Sequence, residues 1–192
     1  SAKVLDRVTQ GYLKTILASG DMDGKAGTSL LLHSVPDTLF KRVLLIGLGK
    51  EQEFKQKSFQ GALGTIFGAL QKTAVADATV FLSDFPVSDR TSDWKVSQIV
   101  VAATSSLYRF DQLKSKPDSD QGHLRKMILC VAQRADLAAC EAAVQQGQAV
   151  ANGMSLAKDL GNLAPNICTP TYLAKQAKEL AKIHKLKASV LE

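Results

Sequence analysis

The residues with which this sequence could do chemistry are few and scattered. His33, His123 and His184 have no carboxylate or cysteine at metal-ligand spacing, and Cys130, Cys140 and Cys168 form no CxxC pair. Neither HExxH nor GxSxG occurs. In GDMDGKAG, Asp21 and Asp23 take the first two ligand positions of a calcium loop, but the glycine falls too early and no glutamate closes the pattern. Gly47-Leu48-Gly49-Lys50 lies between a strand and a helix, where nucleotide loops sit. A dinucleotide fingerprint would need glycine where Gln52 stands, and a P-loop would need glycine at Leu44 and Ser or Thr at Glu51. The stretch therefore reads as a tight turn in which small residues let the helix pack close. Cys168 precedes a helix start with no base to activate it, and Cys140 lies on an alanine-rich helix with no cationic neighbour. The expectation is that this stretch has no catalytic and no metal-binding residue, and no cofactor of its own.

What the sequence offers instead is positive charge. Lys and Arg outnumber Asp and Glu, for a net +6. In the polar segment DQLKSKPDSDQGHL and just after it, Lys114, Lys116, Arg125 and Lys126 are the candidate nucleic-acid contacts, with His123 on the same basic edge. Hydrophobic residues at 45% and charged residues at 22% indicate a globular chain with a core. The longest near-apolar stretch, Gly61 to Leu70, is far short of the ~20 residues of a membrane span. An odd number of separated cysteines fits a reducing, cytoplasmic compartment.

The elements that must position these residues follow from periodicity. Lys3 to Ser19 reads as one helix, with Val4, Leu5, Val8, Tyr12, Leu13, Ile16 and Leu17 on one face. Thr28–His33 and Arg42–Leu48 read as antiparallel strands, the second apolar on both faces and so central. A helix follows over Gln52–Lys72, in which Gly61, Gly64 and Gly68 are expected to allow close approach to a sheet. Then come a strand at Thr79–Ser83, a helix over Ser92–Phe110 anchored by Trp94, with Leu107 also facing inward, and a strand at Met127–Val131. The order predicts an α/β fold, a mixed sheet flanked by helices. Asp136 reads as the N-cap of a long helix, Leu137 to about Gly161. The stiff elbow after it is followed by Thr169-Pro170, a helix start signal. The next helix, to about His184, sets Leu173, Ala177, Leu180 and Ala181 inward against a stripe of Lys175, Lys178, Lys182 and Lys185. Lys187–Leu191 reads as a strand. These last elements make no core alone, so they look like the beginning of a second unit.

The run Ala157-Lys-Asp-Leu-Gly-Asn-Leu-Ala-Pro-Asn-Ile-Cys-Thr-Pro170 resembles the interdomain helix and elbow of the leucine aminopeptidase (cytosol aminopeptidase) family, in its bacterial branch. The resemblance extends to Thr9-Gln10-Gly11, Thr28–His33 with Val35-Pro36, Arg42–Lys50, Trp94-Lys95-Val96, Tyr108–Leu113 and Leu124-Arg125-Lys126. Ala164, where a second proline is usual, and Lys158, where arginine is common, depart from the pattern. The resemblance implies a macro-domain-like N-terminal domain over 1–135, an interdomain helix over 136–163 and the truncated start of a catalytic domain over 164–192. It further implies a cytoplasmic, hexameric, two-metal aminopeptidase that uses manganese, zinc or magnesium and favours N-terminal leucine. The family's metal ligands and catalytic residues would lie beyond residue 192, leaving this stretch inactive by itself and suited to assembly and to shaping access to the site. Members usually open with a strand ahead of the first helix. Some bacterial members also bind DNA, which is the alternative role for the basic residues. A nucleotide or ADP-ribose ligand would follow from the macro-like fold by analogy only.

Overall fold

The computed structural model describes residues 2–116 and 124–191, the side chain of Asp84 excepted. His123 thus lies outside the described residues. The chain divides into two compact units, Ser1–Leu107 with Asp120–Ala151, and Tyr108–Ser119 with Asn152–Glu192.

The first unit begins with two short helices, α1 (Ala2–Val8) and α2 (Tyr12–Ala18), where one was expected. Gln10 and Gly11 both adopt positive φ, 52° and 87°, which breaks the helix. Thr9, almost fully buried, turns its hydroxyl back onto the Leu5 carbonyl at 2.9 Å. Asp6 Oδ1 accepts from the Lys14 amide at 2.9 Å and so satisfies a donor in the first turn of α2 that Gly11 has no side chain to reach. The break rotates the expected apolar face. Leu5, Tyr12, Leu13 and Ile16 pack with Leu32 and Val35, while Val4, Val8 and Leu17 are exposed.

Strands β1 (Ser29–His33) and β2 (Arg42–Ile46) pair antiparallel as the short connection requires, with Leu31 opposite Leu44. Among the described residues β2 pairs with β1 alone, so it is not a central strand. Its apolar character on both faces has another cause. Val43 and Leu45 join the Leu13–Leu32–Val35 cluster, whereas Ile46, with Leu48 beyond it, packs against the main core. At the end of β2 the GLGK turn serves close packing, but against a loop and not the helix. A Cβ on Gly47 would stand 2.1 Å from the Lys25 carbonyl oxygen, and the Gly49 amide donates to Gly24 O at 3.0 Å.

A single 3₁₀ turn (Glu51–Glu53) precedes α3 (Gln56–Leu70). Phe59, Ala62, Leu63, Ile66 and Phe67 are buried on one face of α3. Gly61, Gly64 and Gly68 have open space where a Cβ would stand, so they do not bring the helix close to a sheet as expected. Strand β3 (Asp77–Val80) is shorter than its apolar run because Leu82–Asp84 turn into a 3₁₀ helix. It pairs in parallel with β4 (Lys126–Leu129), Val80 opposite Leu129. Helix α4 (Ser92–Leu107) crosses between them, as a parallel connection requires. The fold is therefore α/β with antiparallel and parallel ladders flanked by helices, forming two two-stranded sheets among the described residues.

The main core gathers α3, α4 and the ends of the strands around Phe59, Leu63, Phe67 and Ile99. Trp94 is half-buried against it, 5.6 Å from the Phe59 ring, with the Arg90 guanidinium 5.1 Å over its own ring. Leu107, expected inward, is exposed at the end of α4. Lys95 is buried in α4, and its Nζ donates to the Phe85 carbonyl at 2.9 Å. A third cluster, Val96, Cys140 and Ala143, packs α4 against α5 (Leu137–Asn162). Asp136 ends a 3₁₀ turn (Arg134–Asp136), and its carboxylate accepts from the Ser92 hydroxyl at 2.8 Å, which joins the starts of the two helices.

In the second unit the end of α5 is followed by an elbow and by α6 (Pro170–His184). Thr169 caps α6 by accepting from the Tyr172 amide at 3.3 Å, with Pro170 at the first helical position. No residue of α6 is fully buried, and the expected inward face is covered only in part: Leu180 and Ala181 are half-buried, while Ala177 and Leu173 (44%) are exposed. Lys187–Leu191 is not a strand, for it has no ladder partner among the described residues.

Candidate functional site

The four candidate cations fall into two settings. Arg125 and Lys126 are exposed at the start of β4, held there by their backbone amides, which donate to Ala76 O at 2.7 and 3.1 Å. Lys126 stands opposite Asp77 in the ladder. Both line an open groove of about 410 Å³ in the first unit. Its lining is otherwise mostly apolar, from Val96, Val100 and Ala103 of α4 and Cys140 and Val144 of α5, and includes Glu141. Lys114 and Lys116 belong to the second unit. Lys114 Nζ lies 2.9 Å from Asp111 Oδ1, so its charge is compensated, while Lys116 is exposed.

The nucleophiles and potential ligands stay dispersed. His33 and His184 are exposed at the ends of β1 and α6. Asp23 is tied to Lys25 at 2.6 Å, and this hydrogen bond holds its carboxyl below the usual range. Burial, then Asp136 and Asp93, push the Cys140 thiol up, against a smaller opposing effect of Lys95. Lys95 is thus a cationic neighbour that the sequence did not reveal, and it is outweighed. Among the described residues no three His, Cys, Asp or Glu side chains converge, so they do not fit a metal ion.

Sequence reasoning passed over one polar arrangement among the described residues. Tyr108 donates its phenol proton to Asp159 Oδ1 at 2.8 Å and accepts from Asn162 Nδ2 at 3.1 Å, while Lys158 Nζ lies 4.9 Å over its ring. Desolvation, then the Asp159 contact, raise the Tyr108 pKa. Two of the stretches that carry the resemblance, Tyr108–Leu113 and Ala157–Pro170, therefore meet in space.

Residues 1–117 match the N-terminal domain of the cytosol aminopeptidase family. The chain belongs to that family. It is 53% identical, over its whole length, to a probable cytosol aminopeptidase of Nitrosospira multiformis, and 51% identical to one of Nitrosomonas eutropha. It spans only 38% and 39% of those two proteins. Its fold is that of two solved structures, each 22% identical. They are a bottromycin maturation enzyme, BotP, in complex with Mn (TM-score 0.71, 92% of this chain and 35% of that one) and a mutant tomato leucine aminopeptidase (TM-score 0.70, 94% and 34%). As a cytosol aminopeptidase family member the chain thus corresponds to the N-terminal part of longer proteins, and the Tyr108 arrangement joins two of its recognisable segments.

Proposed function

We propose that this chain is the non-catalytic N-terminal portion of a leucyl aminopeptidase, a cytoplasmic peptide hydrolase that releases N-terminal residues with leucine favoured. The observation that carries this reading is the match of residues 1–117 to the family's N-terminal domain, together with end-to-end similarity to much longer relatives. In such an enzyme two divalent ions, manganese or zinc, polarise the scissile carbonyl and supply a nucleophilic water near neutral pH. Their ligands would come from residues outside this chain. The chain divides, on this reading, into an α/β domain over 1–135, an interdomain helix over 136–163 and the start of the catalytic domain over 164–192. The incompletely covered apolar side of α6 supports that division, since an amphipathic helix acquires most of its stability by packing. The first domain serves assembly, into a homohexamer, and shapes access to the site.

The test is a leucine chromogenic amide assayed with manganese. The full-length protein turns it over and residues 1–192 do not exceed a mock purification. Clear turnover by residues 1–192 would sink the division of labour, and an inactive metal-loaded full-length protein would sink the enzyme reading.

DNA binding is the weaker reading. It rests on the exposure of Lys116, Arg125 and Lys126, none of which forms an ion pair among the described residues. A gel-shift series should show retardation that falls steeply with salt. No retardation at low salt removes it.

A further inference from the structure

Helix α5 is 26 residues long, yet its buried residues, Cys140, Ala143, Gly147 and Ala151, all lie in the first 15. Beyond Ala151 no residue of the helix is fully buried, Leu156 and Leu160 being half-buried, and a helix end with unpartnered carbonyls frays. At this end one side chain makes three contacts. Tyr108 reaches across 51 residues of sequence to Asp159, receives Asn162 on the same oxygen, and offers its ring face to Lys158. The segment that carries Tyr108 is itself braced, by Arg109 Nη1 donating to Tyr108 O at 2.8 Å and by Lys114 on Asp111. Leu163, whose amide bonds Asp159 O at 3.1 Å, is the first residue past the helix, so the elbow begins where this contact ends.

We propose that Tyr108 is a latch that holds the last turn of α5, and with it the elbow, to segment 108–116. Its three arms differ in chemistry. The phenol donates to the carboxylate only while it is neutral, it accepts from the amide on the same oxygen, and its ring face attracts the ammonium. The latch is therefore a single group whose loss releases three contacts together. When it opens, the last turn unwinds and the elbow loses its fixed starting direction.

Hydrogen–deuterium exchange on the full-length protein tests this. Tyr108→Phe keeps the ring and removes the hydroxyl, and is expected to speed exchange of the amides over residues 160–163 by about 3- to 10-fold, the effect of one or two lost hydrogen bonds. Lys158→Met is expected to speed it by about 2- to 5-fold. Asp159→Asn retains an acceptor and should fall below Tyr108→Phe. Amides of α3 and α4 and the Trp94 fluorescence should not move. Unchanged exchange over 160–163 in Tyr108→Phe overturns the latch. So does a rise spread evenly over α3, α4 and α5, because that is global destabilisation and not a local release.

Discussion

Gly147 faces the backbone of α4 so closely that a Cβ there would stand 3.0 Å from the carbonyl oxygen of Ser97 and 3.0 Å from the Cβ of Val100. The contact lets α5 lie close on α4 beside the Val96–Cys140–Ala143 cluster. It also separates this glycine from the others in helices. Gly64, exposed in the middle of α3, has open space in the same direction. Alanine gains about 1 kcal/mol over glycine in a helix interior, whereas overpacking costs typically about 1–3 kcal/mol. Gly64→Ala should therefore stabilise by about 0.5–1 kcal/mol, while Gly147→Ala should destabilise by about 1 kcal/mol net. Thermal melts of the two variants should shift in opposite directions, and a stabilising Gly147→Ala would show that α5 does not need its close seat on α4.

The three cysteines should separate by reactivity. Cys140 is 3% exposed, and burial with Asp136 and Asp93 nearby disfavours its thiolate. Cys130 and Cys168 are partly exposed. Alkylation near pH 8, read by peptide mass spectrometry, should modify Cys140 at least about tenfold more slowly than the other two, with the gap closing in denaturant. Equal rates under native conditions would mean that the α4–α5 contact opens readily.

The Tyr108 phenol is expected to leave a mark at alkaline pH. Its pKa is raised in the folded chain by desolvation and by Asp159, so between the unfolded and folded values the native state holds the proton more tightly. Stability from this group is complete below the ordinary tyrosine range and is lost as pH rises through the folded pKa. Contributions shared by both proteins cancel when the measurement is the difference between wild type and Tyr108→Phe. Wild type should lose more stability above about pH 10 than the variant does. Parallel curves would show that the phenol contributes nothing there.

Much of this architecture was legible in the sequence. The strong 3.6 period of α3, the short connection between β1 and β2, and the Thr169-Pro170 start of α6 each carry a local physical signal, and each is present. Other features depend on what local patterns do not encode. The apolar period runs straight through Gln10-Gly11, so the break appears only in the positive φ angles. A β-like run such as Lys187–Leu191 becomes a strand only beside another. The doubly apolar character of β2 looked like central placement, whereas its residues divide between two clusters. Tyr108 and Asp159 are polar residues far apart in sequence, and no periodicity pairs them. The family resemblance flagged both stretches but could not say that they touch.

Helix α6 combines a side-chain cap, a proline at its first position and a C-terminal Lys185 in the left-handed conformation with no buried residue at all. Its 15 residues are therefore stabilised mostly by local terms, and isolated helices of that length are marginal in water. Heating residues 1–192 should give a far-ultraviolet signal that slopes away steadily before a sharp transition, because this segment unwinds residue by residue while the α3–α4 core melts all at once. Ellipticity that stays flat up to the transition would mean that α6 shares in the cooperative unit. With the sloping signal, the segment behaves thermodynamically as a peptide tethered to a protein, with a heat of unfolding spread over tens of degrees.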